Sequence, residues 1–510
     1  MFRTLWCAQL FSNIGTWMQT VAAQWMLVHQ PHAATLTSAV QAASLLPVLL
    51  VSLPGGVLAD VLDRRRLLIG LSLVMTALTG ALAALTAADL STPTVLLVFT
   101  FALGCCQALT SPAWQSVQPE LVPRDLLPAA AALGSMNVNL ARAVGPALAG
   151  VLVAVAGPAT VFLVNAASNV AVVAAIVWWR RPATERDEPE RVASAFRAGT
   201  RYVRHAPGVR RILLRALLFV LPASALWGLL PVVADERLHQ GSSGYGVLLG
   251  SLGVGAVAAA AGIKSLRARF GRNTLMAGAS LAFAAGCAAC ALLDWWPAVA
   301  LVLVVAGAGW LVGLSTLNTV LQLALPGWVR ARALAVYLMV FLGGQGVGAL
   351  LWGLMAGPFG VPAALLLATL LLVLSVVSLI WLPVRAQTGE LSREVVQPWA
   401  EPVFALPADP GDVAVLVELT YRVAVIRQDE FRRAVNRLAV SRRRTGAVRW
   451  GIYRDAEDPE VFVEVFEVLS WKEHLRQHSV RTTAYDADLA HAAAAFSDPA
   501  PAVRHLVSEP

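Results

Sequence analysis

Charged side chains are scarce in this chain, at 14% of 510 residues, whereas an average soluble domain has about 25%. Hydrophobic residues make up 57%, against about 45–50% in soluble domains. A soluble core cannot absorb that much apolar surface. The composition therefore argues against an ordinary globular protein and indicates one that crosses a membrane many times.

Cysteines and buried acids are also few. The five cysteines all fall within apolar runs, at Cys7, Cys105, Cys106, Cys287 and Cys290. This placement argues against a disulfide scaffold or a thiolate metal site. No Asp or Glu lies in the middle of the first six apolar runs, so a buried proton carrier is not evident. If protons are coupled, the candidates are Asp235, Glu236 or His29, although acids at span ends are more often simply solvated.

Apolar runs of spanning length dominate the first 382 residues. A transmembrane helix needs about 20 mostly apolar residues. Twelve runs qualify, at 5–28, 38–59, 67–88, 94–113, 129–155, 159–179, 213–234, 244–263, 274–293, 297–325, 333–356 and 361–382. The sequence therefore predicts an all-α membrane protein with 12 transmembrane helices in two six-helix halves.

Arginine marks every second loop. Basic residues follow predicted spans two, four, six, eight and ten, whereas the alternate loops carry almost none. Because short basic loops stay in the cytoplasm, both termini are expected inside. The net charge of +8 is then explained by topology and by contact with anionic membrane lipid, and a nucleic-acid partner is not expected.

The two halves echo each other. The segment Asp63–Leu68 after span two corresponds to Gly271–Met276 after span eight, and Ala156–Pro158 corresponds to Ala356–Pro358. The predicted domains are an N-terminal half at 1–180, a central loop at 181–211 and a C-terminal half at 212–383. A duplicated pair of six-span halves is typical of major facilitator transporters, which bind substrate between the halves.

The loop between spans two and three carries a motif. Residues 56–66 read GVLADVLDRRR, which resembles the major facilitator signature G-x-L-A-D-r-x-G-r-k. The resemblance implies a gating loop made of Gly56, Asp60, Asp63, Arg64, Arg65 and Arg66. The sequence departs from the signature at Val61 and Asp63. The alternative is a basic loop that only sets topology.

Span five carries an arginine in an apolar setting. Arg142 is followed by Gly145, Pro146 and Gly150, which resembles the antiporter signature G-P-x-x-G-G. A mid-span arginine costs about 2.5–3.5 kcal/mol to insert, so it should face protein or water. Together with Asn137 and Asn139, this segment predicts a transport site. The alternative is a structural arginine beside ordinary small-residue helix packing.

Polar and aromatic residues within the spans predict the substrate cavity. We expect an uncharged, amphipathic lining, which suits bulky, partly aromatic molecules. Its candidate residues are Trp17, Gln19, Gln24, Asn318, Gln322 and Gln345. Other tryptophans, such as Trp25 and Trp114, could equally belong to an interfacial belt.

The composition changes after residue 383. Residues 384–411 contain four prolines and read as a linker. Residues 412–510 then alternate as strand, helix, strand, strand, helix and strand. That order predicts a small α+β, ferredoxin-like cytoplasmic module.

The tail includes SWKEHLRQHSVRT at 470–482, and the whole chain resembles the transmembrane secretion effectors, a major facilitator subgroup that includes enterobactin-type siderophore exporters. The tail is similar to an antibiotic-biosynthesis monooxygenase module. His474 and His478 are spaced four apart, but without a third ligand we expect them to be solvated. No metal, cofactor or catalytic residue is predicted.

The predicted function is ion-coupled export of hydrophobic or amphipathic small molecules, such as a drug, natural product or siderophore. The coupling ion could be a proton. The alternative is a membrane-anchored sensor or enzyme that uses the C-terminal module. A membrane enzyme should show clustered carboxylates, histidines or cysteines beside its spans, and the sequence shows none.

Overall fold

The chain forms two compact units. The computed structural model describes residues 1–51, 63–179, 192–384, 396 and 413–507. The first unit comprises Met1–Val192, Leu213–Asn318 and Leu338–Val384. The second comprises Ala193–Ile212, Thr319–Tyr337 and Arg385–Pro510. The second unit therefore combines the C-terminal sheet with two helical segments from earlier in the chain.

Long helices make up the described part of the first 384 residues. In chain order they are α1 Phe2–Leu27, α2 Ala33–Leu45, α3 Arg64–Ala87, α4 Pro93–Leu121, α5 Leu127–Trp178, α6 Val192–His205, α7 Pro207–Val232, α8 Ser242–Arg269, α9 Arg272–Leu292, α10 Trp296–Ala324, α11 Gly327–Phe359 and α12 Val361–Val377.

Nine helices in the described ranges are long and apolar enough to cross a membrane. One of these stretches, Ala129–Trp178, has 50 residues, which is the length of two spans. The polar side chains of α1 lower its mean hydropathy and keep it outside the nine, and α12 is short at 17 residues. A mostly helical membrane protein is confirmed, while the number twelve stays a prediction.

Helix α5 breaks at Gly157. This residue has φ 78° and ψ 166°, a conformation that glycine adopts without a Cβ clash, and the break separates predicted spans five and six as expected. In the second half α11 continues to Phe359, and the positive φ of 82° falls at Gly360, between predicted spans eleven and twelve. The echo in the first half thus coincides with the structural break, and the echo in the second half lies three residues before it.

Amide side chains join α1 to α5. Asn13 donates to the Asn137 side chain at 2.8 Å, and Asn137 donates to the Trp6 carbonyl at 2.9 Å. Closer to the C-terminal end of α1, Asn165 donates to Gln19 at 2.5 Å. Helices in a membrane gain no hydrophobic driving force from one another, so such hydrogen bonds and close packing hold them together.

An arginine on α7 closes the end of α12. Arg215 is only 2% exposed, and its guanidinium donates to the carbonyls of Ser375, Ser378 and Leu382. The last carbonyls of a helix have no partner within the helix. A cation placed there satisfies them and opposes the helix dipole.

The C-terminal module folds into one antiparallel sheet. Its strands are β1 Val415–Arg422, β2 Arg449–Arg454, β3 Val461–Val468 and β4 Ala502–Val507, and its helices are α13 Gln428–Thr445, α14 Trp471–Arg476 and α15 Ala484–Ala494. The sheet order is β2-β3-β1-β4. The predicted alternation of strands and helices is confirmed.

The module core contains a fully buried carboxylate. Glu464, at 0% exposure, accepts hydrogen bonds from the Tyr421 hydroxyl at 2.8 Å, Arg442 Nε at 3.1 Å and Trp450 Nε1 at 2.9 Å. A buried charge is tolerated when it is paired and fully hydrogen-bonded. Around it, Phe431 and other apolar residues form the core between sheet and helices.

Candidate functional site

The predicted gating loop is partly described. Gly56, Asp60 and the Arg64 side chain lie outside the described residues. Asp63 begins α3 by accepting from the backbone N–H of Arg66 at 2.9 Å. Arg65 donates to the carbonyls of Val177, at 2.6 Å, and Ile176, at 3.2 Å. The loop arginine therefore neutralises the carbonyl end of α5.

Arg142 lies in the span, against an aromatic ring. Its guanidinium carbon is 5.5 Å from the centre of the Trp17 ring on α1, within the range of a cation–π contact. Its Nε is buried and has no hydrogen-bond acceptor among the described residues. A buried donor left in this way costs about 1–3 kcal/mol, so the position favours a ligand that supplies an acceptor.

Trp17 is one edge of a larger group of rings, here called the tryptophan cluster. Trp17 lies 6.0 Å from Trp227, which lies 5.3 Å from Trp310. Phe219, Phe283 and Phe341 surround Trp310 at 5.5–5.7 Å. The three phenylalanines were missed by the sequence analysis, because hydropathy does not reveal which faces of neighbouring apolar helices meet.

The indole nitrogens in the cluster are also buried donors. Trp227 Nε1 and Trp310 Nε1 have no acceptor among the described residues. Together with Arg142 Nε they make three buried N–H groups on or beside one aromatic surface. Most buried polar groups in proteins are hydrogen-bonded, so this concentration suits an apolar, aromatic molecule that carries acceptor oxygens.

The predicted cavity amides do not share one place. Gln24 is buried, donates to the carbonyls of Trp227 and Thr37 at 3.2 and 3.3 Å, and accepts from the Tyr245 hydroxyl at 2.6 Å. Gln19 pairs with α5, as described above. On α10, Asn318 is half-buried and Gln322 is exposed, while Gln345 on α11 is buried. Gln24 thus connects the two predicted halves.

Two glycines of the span-five motif lie at different helix contacts. A Cβ at Gly145 would lie 2.7 Å from the Cβ of Trp17, so this glycine allows α1 to approach. A Cβ at Gly150 would lie 2.5 Å from the carbonyl oxygen of Ser242 and 3.0 Å from the Cα of Gly246. The second glycine therefore allows α5 to pack on α8 backbone to backbone. Pro146 is buried between them, and Asn139 donates to the Ser135 carbonyl one turn earlier.

The acids after α7 meet a histidine after α1. His29 Nε2 lies 3.4 Å from the Asp235 carboxylate. Both residues and Glu236 line a pocket of about 560 Å³. The neighbouring Arg237 instead pairs with Asp294 at 2.8 Å. The structure thus brings two of the candidate proton carriers together and leaves them accessible.

The second unit holds a charged and aromatic contact, here called the docking cluster, made of Arg201, Tyr202, Trp328, Glu473 and Arg481. Arg481 donates to Glu473 at 2.6 Å and lies 5.3 Å above the Trp328 ring. Tyr202 meets Trp328 edge to face at 5.6 Å, and Arg201 is 3.9 Å from Glu473. The cluster therefore joins α6 and the start of α11 to the module.

The expectation that His474 and His478 are solvated is wrong for His474, which is 1% exposed. Its Nε2 is 3.2 Å from His478 Nε2, and His505 from β4 completes a group of three. Burial, reinforced by the neighbouring rings, lowers the pKa of His474 to about 3, and burial with the nearby Arg442 cation lowers the pKa of His478 to about 4. Local sequence patterns contain no signal for His505, because it lies on a separate strand, β4.

The chain belongs to the family described as transmembrane secretion effector, which matches residues 1–510 and is part of the major facilitator superfamily. The family and the relatives found are transporters and not enzymes. The chain is therefore a multi-pass membrane protein of a transporter family.

Two curated relatives are similar to part of the chain. The staphyloferrin A transporter of Staphylococcus aureus is 31% identical over 157 residues, 30% of this chain and 39% of that protein. The multidrug efflux pump Tap of Mycobacterium tuberculosis is 29% identical over 168 residues, 31% of this chain and 39% of that protein. The similarity thus spans 39% of the length of each relative.

Solved transporters share the fold. A POT family transporter in complex with a thioalcohol-conjugated peptide superposes with a TM-score of 0.61 at 13% identity, covering 76% of this chain and 96% of that one. At such low identity, this likeness shows the transporter fold alone.

Proposed function

We propose that this protein is a secondary active exporter of hydrophobic or amphipathic small molecules, such as a drug, natural product or siderophore. It works by alternating access in the cell membrane of a bacterium. In this proposal twelve helices form two six-helix halves at 1–180 and 212–383, joined by the central loop at 181–211. Both termini are cytoplasmic, and the linker at 384–411 leads to a ferredoxin-like module at 412–510.

The observation that carries the proposal is the group of buried donors around the tryptophan cluster. Arg142 Nε, Trp227 Nε1 and Trp310 Nε1 lack acceptors among the described residues, and apolar rings surround them. A flat molecule with acceptor oxygens would satisfy the donors and stack on the rings. The staphyloferrin A and multidrug relatives support an exported small molecule.

Contacts between the two proposed halves support alternating access. Gln24 and Tyr245 hydrogen-bond across the halves, and Gly150 packs on Gly246. These contacts lie toward the ends of the helices that the arginine distribution places outside. In the proposed cycle they break when the other side closes, which exposes the cluster to the exterior.

Proton coupling is assigned to the outer pocket in this proposal. Asp235 and Glu236 are carboxylates with access to solvent, and His29 can exchange a proton with Asp235 across 3.4 Å. In this proposal the His29–Asp235 pair takes up the coupling proton from the pocket that it lines. Asp60 and Arg64–Arg66 are proposed to gate the opposite side.

The test is efflux of a fluorescent aromatic dye from proteoliposomes, with and without a protonophore. Arg142→Lys keeps the charge but loses the planar fork that binds oxygens and stacks on rings. We expect transport to fall about tenfold or more, equivalent to about 1.4 kcal/mol, at an unchanged melting temperature. Arg3→Lys, at an exposed position, is the matched control.

Two outcomes would contradict this proposal. Equal loss of transport and of folded protein in Arg142→Lys would show that the arginine is structural. Dye efflux at an unchanged rate in the presence of the protonophore would contradict proton coupling. Asp235→Asn should in that case leave the efflux rate unchanged.

A second role, sensing, is favoured by the docking cluster. The module contacts α6 and the start of α11, both of which continue into helices of the transporter. A ligand bound in the module could therefore alter how those segments move. In this role the module regulates transport and catalyses no reaction.

A further inference from the structure

Three histidines of the module converge from separate elements. His474 lies on α14, His478 lies one turn later, and His505 comes from the edge strand β4. One ring nitrogen from each lies within 4.8 Å of the others. The Trp471 ring packs against His474 at 5.8 Å and against His505 at 5.7 Å, so an aromatic wall bounds the group.

The chemistry of the group is unusual for a protein core. His474 Nδ1 and His505 Nε2 are buried without a hydrogen-bond partner among the described residues. The Nε2 atoms of His474 and His478 face each other at 3.2 Å, where two lone pairs would repel. Either one of these nitrogens carries a proton, or a cation lies between the rings.

The donor atoms of the group are ring nitrogens. Burial lowers the pKa of all three rings. Neutral imidazole is a preferred ligand of zinc, copper, nickel and iron, whereas calcium and magnesium prefer oxygen. The cluster itself offers three nitrogens and no carboxylate.

We propose that His474, His478 and His505 bind one divalent transition-metal ion of the zinc class, with a fourth position open to water or a small ligand. At bond lengths of about 2.1 Å, tetrahedral nitrogen ligands lie about 3.4 Å apart. The 3.2 Å pair already meets this distance. All three nitrogens lie within 4.8 Å of one another, so no pair needs to close by more than about 1.4 Å.

The spacing of ligands explains why the site requires the folded module. His474 and His478 are one helical turn apart, but His505 joins them only when β4 pairs with β1, where it lies opposite Val417. A site assembled from distant segments does not exist in the unfolded chain, so metal binding should stabilise the fold.

The experiment uses the full-length protein in detergent, purified through a tag without histidine and stripped with a chelator. Zn²⁺ is titrated by calorimetry, and Co²⁺ is titrated by optical absorption. We expect one ion per chain, a tetrahedral nitrogen-type Co²⁺ spectrum without a thiolate band, and a rise in melting temperature with Zn²⁺. His505→Ala should weaken Zn²⁺ binding on the order of 100-fold. This variant removes a direct ligand, and even the loss of a group that hydrogen-bonds to a ligand weakens metal binding about 10–100-fold.

The matched control is His491→Ala, which changes an exposed histidine on α15 and should leave Zn²⁺ affinity unchanged. Equal Zn²⁺ affinity in wild type and His505→Ala would overturn the proposal, as would an octahedral, water-like Co²⁺ spectrum. Absence of wild-type binding would also overturn it and would show that His474 and His478 only share a proton. Should His505→Ala fail to fold, the wild-type Co²⁺ spectrum still decides. The readout does not depend on transport.

Discussion

Gly150 allows α5 and α8 to approach more closely than any side chain would permit. The hydroxyl of Ser242 donates to the Gly150 carbonyl at 3.1 Å, and the Cα of Gly246 is opposite. Because the atoms that a Cβ would meet belong to the backbone, a small rotamer change cannot relieve the clash. The contact therefore depends on the absence of one methyl group.

Replacing Gly150 by alanine should destabilise this arrangement by about 1–3 kcal/mol, the usual cost of overpacking. The measurement is the melting temperature in detergent together with dye efflux. Gly80→Ala is the control, because a Cβ at Gly80 on α3 meets nothing within 4 Å. A melting temperature that falls equally in both variants would contradict the packing role.

The helices of this protein are closed at their ends by arginines as well as by backbone turns. Arg65 donates to carbonyls at the end of α5, and Arg215 donates several charge-assisted hydrogen bonds to carbonyls at the end of α12. When such a donor is removed, the buried carbonyl has neither water nor a hydrogen-bond partner, and the full desolvation penalty lowers the stability of the fold. A cap of this kind fixes where the helix ends and which neighbour it packs against.

Arg215→Ala should therefore lower the free energy of unfolding on the order of 3 kcal/mol, because hydrogen bonds from a charged group contribute about 1.5–3 kcal/mol each and their loss is only partly replaced by water. Thermal unfolding in detergent measures this. The control Arg211→Ala removes an exposed arginine one turn earlier on α7 and should have little effect. Similar melting temperatures for the two variants would show that the cap is dispensable.

The sequence predicted elements better than it predicted partners. Apolar length and the Gly157–Pro158 break located the helices, because a bilayer fixes span length. Gln19 was predicted to line a cavity, but it pairs with Asn165 across two helices. His505 was missed because it lies 27 residues beyond His478, and only strand pairing joins them. Contacts between distant segments are tertiary information, which local periodicity does not contain.

At the scale of the whole molecule, the docking cluster joins the module to α6 and to the start of α11 within the second unit. Glu473 accepts from Arg476 and Arg481 and lies near Arg201, and burial alone would otherwise raise its pKa. The nearby arginines instead lower that pKa, so the carboxylate is charged. The module is thus attached by a desolvated ionic contact and by stacked rings.

Arg481→Ala should loosen this attachment and expose α6 to protease. We expect trypsin to cut at Arg201 and Arg204 about tenfold faster, since cutting tracks the open population and tenfold corresponds to about 1.4 kcal/mol. Mass spectrometry of the fragments locates each cut. Arg432→Ala, at an exposed position on α13, is the control, and equal cutting rates in both variants would argue against the docking role.

The second unit is built from segments that are far apart in the chain, so they are synthesised at different times. Its helical segment 193–212 leaves the ribosome long before the sheet begins at Val415. The 210 residues from His205 to Val415 (415 − 205) take about 10 s or more at about 5–20 residues per second. During that interval the Tyr202 ring lacks its contacts with the module, and it lacks its contact with Trp328 until that residue has been synthesised. A chain whose second half fails to insert leaves the Tyr202 ring without its contacts to Trp328 and to Arg444 of the module.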